Sequence, residues 1–125
     1  EWQVAHLVEP RDLVPESIMP SYGFLLKRGA KLHDLKNHLH ALRNVGVPYT
    51  DEMIANAKQD AVAQATGEAR TSIDGLVERY GEKVNARDFD GNPNMISEMD
   101  ALVAYLQVLG TMVDFEAAKA VEGDE

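Results

Sequence analysis

There is no cysteine anywhere in the 125 residues. That excludes a disulfide, a thiolate zinc site and thioether attachment of a haem within these residues, while saying little about compartment. Positive charge is scarce as well: 12 Lys and Arg stand against 21 Asp and Glu, a formal net charge of −9. Such a chain repels nucleic acid and anionic membrane surfaces; acidity of this kind can steer a basic partner, yet it is also common in soluble domains that have none. No apolar run is long enough to span a bilayer and no signal peptide is recognisable, so the chain as it stands is expected to be soluble. Gly29, Gly67 and Gly110 are isolated, without the spacing of a Walker loop or a Rossmann turn, and there is no nucleophile elbow. The many carboxylates lie on patterns where solvated faces are expected. No catalytic residue is assigned.

The composition that is present, 45 % hydrophobic and 26 % charged, is that of a globular chain of one domain's length. Its periodicity is helical throughout, which predicts an all-α fold. Residues 1–8 read as the end of a helix carrying Trp2, Ala5 and Leu7 and stopped by Pro10, with His6 solvated or bonded to backbone. Lys31 to Val45 reads as a helix with Leu32, Leu35, Leu39 and Leu42 on one stripe and Gly46 closing it. His33, His38 and His40 lack the i, i+4 spacing that places two ligands on one face, so solvated histidines are expected there. Thr50 is a good N-cap, with Asp51 and Glu52 well placed on the helix dipole. An alanine-rich stripe follows (Met53, Ile54, Ala57, Ala61, Val62, Ala65), then a second one (Ile73, Leu76, Val77, Tyr80, Val84). Residues 50–84 are compatible with one long helix or with a hairpin of two.

The polar stretch Asn85–Asn94 contains Asp88, Asp90 and Gly91. Aligned on that glycine as a calcium loop, its first and twelfth positions are Ala86 and Ser97, which are poor ligands, so a turn is expected. Ser97 is predicted to cap the last helix, with Asp100 at the capping-box position and Met99, Leu102, Val103, Leu106 and Leu109 on one face. Gly110 is expected to end it, and the tail from Ala117 to Glu125 to fray.

The most unusual stretch is Asp12-Leu13-Val14-Pro15-Glu16-Ser17-Ile18-Met19-Pro20-Ser21-Tyr22. Two prolines fence it and Pro10 lies just upstream. Each fixes its own φ and biases its predecessor toward extended geometry, so Met19 is held on a stiff loop. A thioether so held suits the sixth ligand of an electron-transfer haem, although filling a gap in the core is what most methionines do.

Trp2, His6-Leu7, Pro10-Arg11, Val14-Pro15-Glu16-Ser17 and Met19-Pro20 resemble the monohaem subunit of cbb3-type cytochrome c oxidases (FixO or CcoO). Leu42-Arg43, Val45 to Glu52 and Glu98 to Gln107 resemble it too, in the family's order. The resemblance implies the C-terminal part of a cytochrome c-like domain with a long helical insertion, lacking the haem-attachment helix. It implies Met19 as the axial iron ligand of a haem c in the parent, and on position alone Ile18 and Tyr22 as lining of its pocket. The parent's Cys-x-x-Cys-His and membrane anchor are then expected upstream of Glu1, and the parent on the periplasmic face of the bacterial inner membrane. Implied partners are the haem–copper subunit and the dihaem cytochrome c subunit, with electrons relayed toward the former.

The chain divides accordingly into a ligand-loop region (1–30), a helical insertion (31–96), a C-terminal helix (97–110) and an acidic tail (111–125), one partial domain in all. The rival readings are a helical interaction module without a redox role and a soluble cytochrome c unrelated to an oxidase. Without a haem and the missing helix, the inner faces of the Met19 loop and the last helix are expected to be hidden by rearranged helices or by self-association, leaving no open apolar groove.

Overall fold

A computed structural model describes residues 1–67 and 70–109, with the backbone alone for 70–72. Among them are seven α-helices, one 3₁₀ turn and no strand: α1 (Trp2–Val8), α2 (Pro10–Leu13), the 3₁₀ turn (Gly23–Lys27), α3 (Leu35–Asn44), α4 (Asp51–Ala55), α5 (Ala57–Thr66), α6 (Arg70–Tyr80) and α7 (Glu98–Leu109). The all-α class is therefore as expected. The predicted end at Gly110 and the acidic tail lie outside the described residues.

Helix α7 starts where its sequence says it should. The Ser97 amide donates to Asp100 Oδ2 (3.0 Å) and the Asp100 amide to Ser97 Oγ (3.1 Å), a reciprocal capping box with both residues buried. Met99 and Val103 then project into the main core beside Leu7 of α1 and Phe89 of the preceding loop. Met19, Tyr22, Leu25 and Leu26 close over that cluster. The segment before α3 is recruited to the same region: Ala30 N donates to Ile96 O (2.9 Å) and Glu98 N to Arg28 O (2.8 Å), around an isolated antiparallel bridge between Gly29 and Ser97. Residues 28–30 are thus held extended, and α3 begins at Leu35 rather than at Lys31.

Three further boundaries differ from the sequence reading, each for a local reason. Pro10 stops α1 and also opens α2, because a proline at the first helical position loses no hydrogen bond. Asp12 and Leu13 are accordingly helical, not extended. The alanine-rich stretch breaks at Asn56, whose backbone N–H and side-chain amide both donate to Glu52 O (3.0 and 2.9 Å) and turn the chain between α4 and α5. Finally, α6 ends at Tyr80 instead of near Val84, because Gly81 takes a left-handed φ of +93°. The closures predicted at Thr50 and Gly46 are observed. Thr50 Oγ1 accepts from Met53 N (3.2 Å), and Gly46 N and Val47 N donate to Arg43 O and Leu42 O (3.0 and 3.1 Å).

Of the two arrangements open for residues 50–84, α5 and α6 form a packed pair. The pair is antiparallel, since Asp60 near the start of α5 meets Arg79 near the end of α6. Gly67 makes the reversal: its φ is +62°, and a Cβ there would stand 3.0 Å from Arg87 Cα. Arg87 N in turn donates to Gln64 O (2.8 Å), tying the polar loop to the end of α5.

The buried residues along α5 are Ala57, Asp60 and Ala63, so a carboxylate sits in the middle of the alanine stripe. Asp60 is 4 % exposed and receives the Arg79 guanidinium side-on, with Nε to Oδ2 at 2.9 Å and Nη2 to Oδ1. The hydrogen bond to Asp60 raises the Arg79 pKa further above its ordinary value. Removing Arg79 leaves the buried Asp60 carboxylate unpaired, whereas Arg79 is itself only part-buried and can turn to solvent. Arg79→Met is expected to cost about 3 kcal/mol in urea unfolding, and Asp60→Leu combined with Arg79→Met to cost clearly less. Equal unfolding midpoints for Arg79→Met and the unsubstituted chain would show that the pair supports nothing.

Candidate functional site

The Met19 loop leaves α2 at Val14 and is pinned at both ends. Ser17 N donates to Val14 O (2.9 Å) and Met19 N to Ser17 Oγ (3.2 Å), while Arg11 Nε reaches Ser17 O (3.3 Å). Downstream, Ser21 Oγ donates to Val8 O and Tyr22 N to Leu7 O (2.7 Å). With φ fixed at Pro15 and Pro20, little freedom is left between these anchors. Met19 is half-buried against the Leu7, Phe89, Met99 and Val103 cluster, and Tyr22 packs on the same cluster. Ile18 does not. It is 96 % exposed, the opposite disposition to its neighbour, so it shares no pocket with Met19 and Tyr22.

The histidines are elsewhere. His6 stacks on Trp2 with ring centroids 4.8 Å apart, and His38 Nε2 lies 3.7 Å from Asp34 on exposed α3. His33 and His40 are exposed. The donor chemistry around the loop thus fits one axial position of a haem, a thioether on a rigid arm backed by apolar side chains. The absence of cysteine leaves thioether anchorage outside this chain.

A second constellation lies in the polar loop. Asp88, Asp90 and Asp100 bring carboxylate oxygens within 4.8 Å of one another. Each of them already accepts hydrogen bonds within the loop or at the start of α7. Asp100 Oδ1 accepts from Phe89 N (3.1 Å) and Asp90 N (2.9 Å), Asp88 Oδ1 from Gly91 N (3.0 Å) and Asp90 Oδ1 from Asn92 N (2.7 Å). Ser97 Oγ donates to Asp90 Oδ2 (2.5 Å). The loop is a chain of side-chain-capped turns, as its composition predicts. Neither the buried Phe89 nor the closure onto Asp100 was apparent from the sequence. Burial raises the Asp100 carboxyl above its ordinary 3.8; the amides of Ser97 and Asp90 oppose that, and the charges of Asp90 and Asp88 add to it.

A third feature is a cleft of about 640 Å³ between α3, α5, α6 and α7, with Leu35, Leu39, Ala61, Leu76, Ala104 and Val108 among its walls. Tyr80 lines it, its hydroxyl raised by burial and then by the Asp60 charge. The inner face of α7 is therefore covered from within at Met99 and Val103. At the cleft it is not, contrary to the expectation that no apolar groove would remain open.

A rigid loop offering a thioether over an apolar core, on an all-helical frame, defines a chain suited to holding one side of a redox group. The family described as "Cytochrome C oxidase, mono-heme subunit/FixO" matches residues 1–113, and the chain belongs to that family. It is therefore part of a haem-binding subunit of an oxidase complex, with no covalent haem attachment among its own residues. No curated protein matches it. No described helix is long and apolar enough to cross a membrane.

The raised Asp100 pKa fixes a sign. A carboxyl protonated more readily in the folded state contributes stability that is fully present below about 3.8 and is lost as pH rises through the folded value. The stability difference between the unsubstituted chain and Asp100→Asn, measured by urea unfolding from pH 3 to 7, is expected to shift against the unsubstituted chain with rising pH. Asp51, which its hydrogen bond to Arg43 lowers, has the opposite dependence but is common to both proteins and cancels. A difference that is flat with pH would refute the sign.

Proposed function

We propose that this chain is the distal-ligand part of the electron-relaying subunit of a cbb3-type cytochrome c oxidase, with Met19 the axial thioether of a haem c. The observation that carries the reading is the Met19 loop, fixed by Pro15 and Pro20 and tied to α1 and α2 by hydrogen bonds at both ends. When bound, haem c supplies one-electron transfer at a potential raised by methionine–histidine ligation.

The chain's residues do the rest by position. Ser17 Oγ holds the Met19 amide, which fixes the backbone carrying the thioether and would help keep a weak iron–sulfur bond from dissociating. Tyr22, Leu25 and Leu26 keep water from the inner side of the loop. The subunit is placed on the periplasmic face of the bacterial inner membrane, anchored by a segment preceding Glu1. It passes electrons to the haem–copper subunit and assembles with the dihaem subunit, with residues 31–96 as an insertion that contacts them. The division into loop region, insertion, last helix and tail is retained on this reading.

The open cleft favours a second reading, a helical interaction module with no redox role. A Cys-x-x-Cys-His and an apolar anchor preceding Glu1 support the first reading, and their absence the second.

The test is an optical spectrum of the full-length subunit, made in a host that matures c-type haem, with and without Met19→Ala. The expected outcome is a low-spin c-type spectrum whose methionine-to-ferric-iron band vanishes in the variant. A band that survives the substitution places the sixth ligand elsewhere, and a chain that takes up no haem leaves the interaction module.

A further inference from the structure

We propose that Phe89 is a positioning residue for the Met19 thioether, seated in the core behind the ligand arm by the Asp100 carboxylate. The assignment rests on the reading of Met19 as an axial ligand and deepens it. It adds that the arm is set by a residue of the polar loop, far along the chain from its own prolines.

Phe89 is the one large apolar side chain between residues 85 and 94, and it is 5 % exposed. Its place is fixed through its own backbone. Phe89 N donates to Asp100 Oδ1 (3.1 Å), and Asp90 N donates to the same oxygen (2.9 Å). To start α7, Asp100 needs only the bond from Ser97 N to its other oxygen (3.0 Å). The bonds to Oδ1 add nothing to that start; they set how the polar loop meets the helix, and so where Phe89 enters the core. The ring is held as well as the backbone, by the Arg87 guanidinium lying over it at 5.5 Å from its centroid. Arg87 N is in turn tied to Gln64 O (2.8 Å).

Met19 packs on the cluster that Phe89 forms with Leu7, Met99 and Val103. The bond from Met19 N to Ser17 Oγ (3.2 Å) fixes the backbone of the arm. It does not fix the thioether, because a methionine side chain turns about three bonds. Ile18 beside it is 96 % exposed and lends no support. The direction of the thioether therefore falls to the cluster. A smaller side chain at position 89 leaves space into which the thioether can retreat, and a weak iron–sulfur bond is sensitive to that freedom.

The test titrates the ferric full-length subunit, matured with its haem, with imidazole, which competes with methionine for the iron. Phe89→Leu and Asp100→Ala are each expected to bind imidazole about tenfold more tightly than the unsubstituted subunit, with the methionine-to-ferric-iron band lost in step. Arg79→Met weakens the α5–α6 pair outside this cluster, and its imidazole affinity is expected to stay unchanged. An unchanged affinity in Phe89→Leu or in Asp100→Ala overturns the inference. So does an equal rise in Arg79→Met, which would show that lost stability alone loosens the ligand. Should Asp100→Ala take up no haem, the milder Phe89→Leu decides. Met19→Ala separates this inference from the reading beneath it. A band that survives Met19→Ala overturns both; a band lost there, with Phe89→Leu unmoved, overturns the positioning role alone.

Discussion

One carboxylate organises the centre of this molecule. Asp100 accepts from Phe89 N and Asp90 N with one oxygen and from Ser97 N with the other. The first pair of bonds draws a polar loop onto the helix, and the last starts the helix itself. Phe89 is thereby inserted into the apolar cluster in which Met99, Val103 and Leu7 are buried. Hydrogen bonds to an ionised acceptor are stronger than neutral ones, yet burial pushes the same carboxyl toward its protonated form. The site thus combines strong local bonding with a standing electrostatic cost, to which the neighbouring Asp88 and Asp90 add.

The Met19 loop depends on this arrangement from the other side. The loop has no secondary structure between Val14 and Tyr22 that could hold it from within. It is kept in place by prolines, by bonds to the backbone of α1, and by the surface that Phe89 and α7 provide for Met19 and Tyr22. Stiffness here is therefore partly local and partly borrowed from the core. A loop held in this way is ordered on folding, so little further ordering cost would fall on any binding event at its surface.

The sequence was most legible where chemistry is local. Thr50, Gly46 and the Ser97–Asp100 pair each satisfy backbone groups within four or five residues, and each was found where its residue type predicted. The stiff loop was legible because proline acts on its immediate neighbours. Partners far along the chain were not legible. Asp60 and Arg79 are nineteen residues apart, and a charged residue within an alanine stripe reads as the edge of a face rather than its centre. Phe89 sits in a run of polar residues, where periodicity carries no signal. The ends of α3 and α6 moved because a bridge to Ser97 and a left-handed glycine outweighed the apolar stripes that ran past them.

The two halves of the described chain are held together by different physics, and this bears on how they can serve one subunit. Around α7 the core is built from large side chains that exclude water at Met99 and Val103. In the α3–α6 region alanines dominate α5, a buried ion pair sits among them, and an open cleft separates these helices from α7. Small residues bring backbones close but remove little apolar area, and a buried pair gives geometric definition more than net stability. Among the described residues, packing of α5 on α7 and the bonds of residues 85 and 87 with Gln64 join the two regions. The region that carries the Met19 loop is thus defined by large buried side chains, and the α5–α6 pair by close backbone approach and one ion pair.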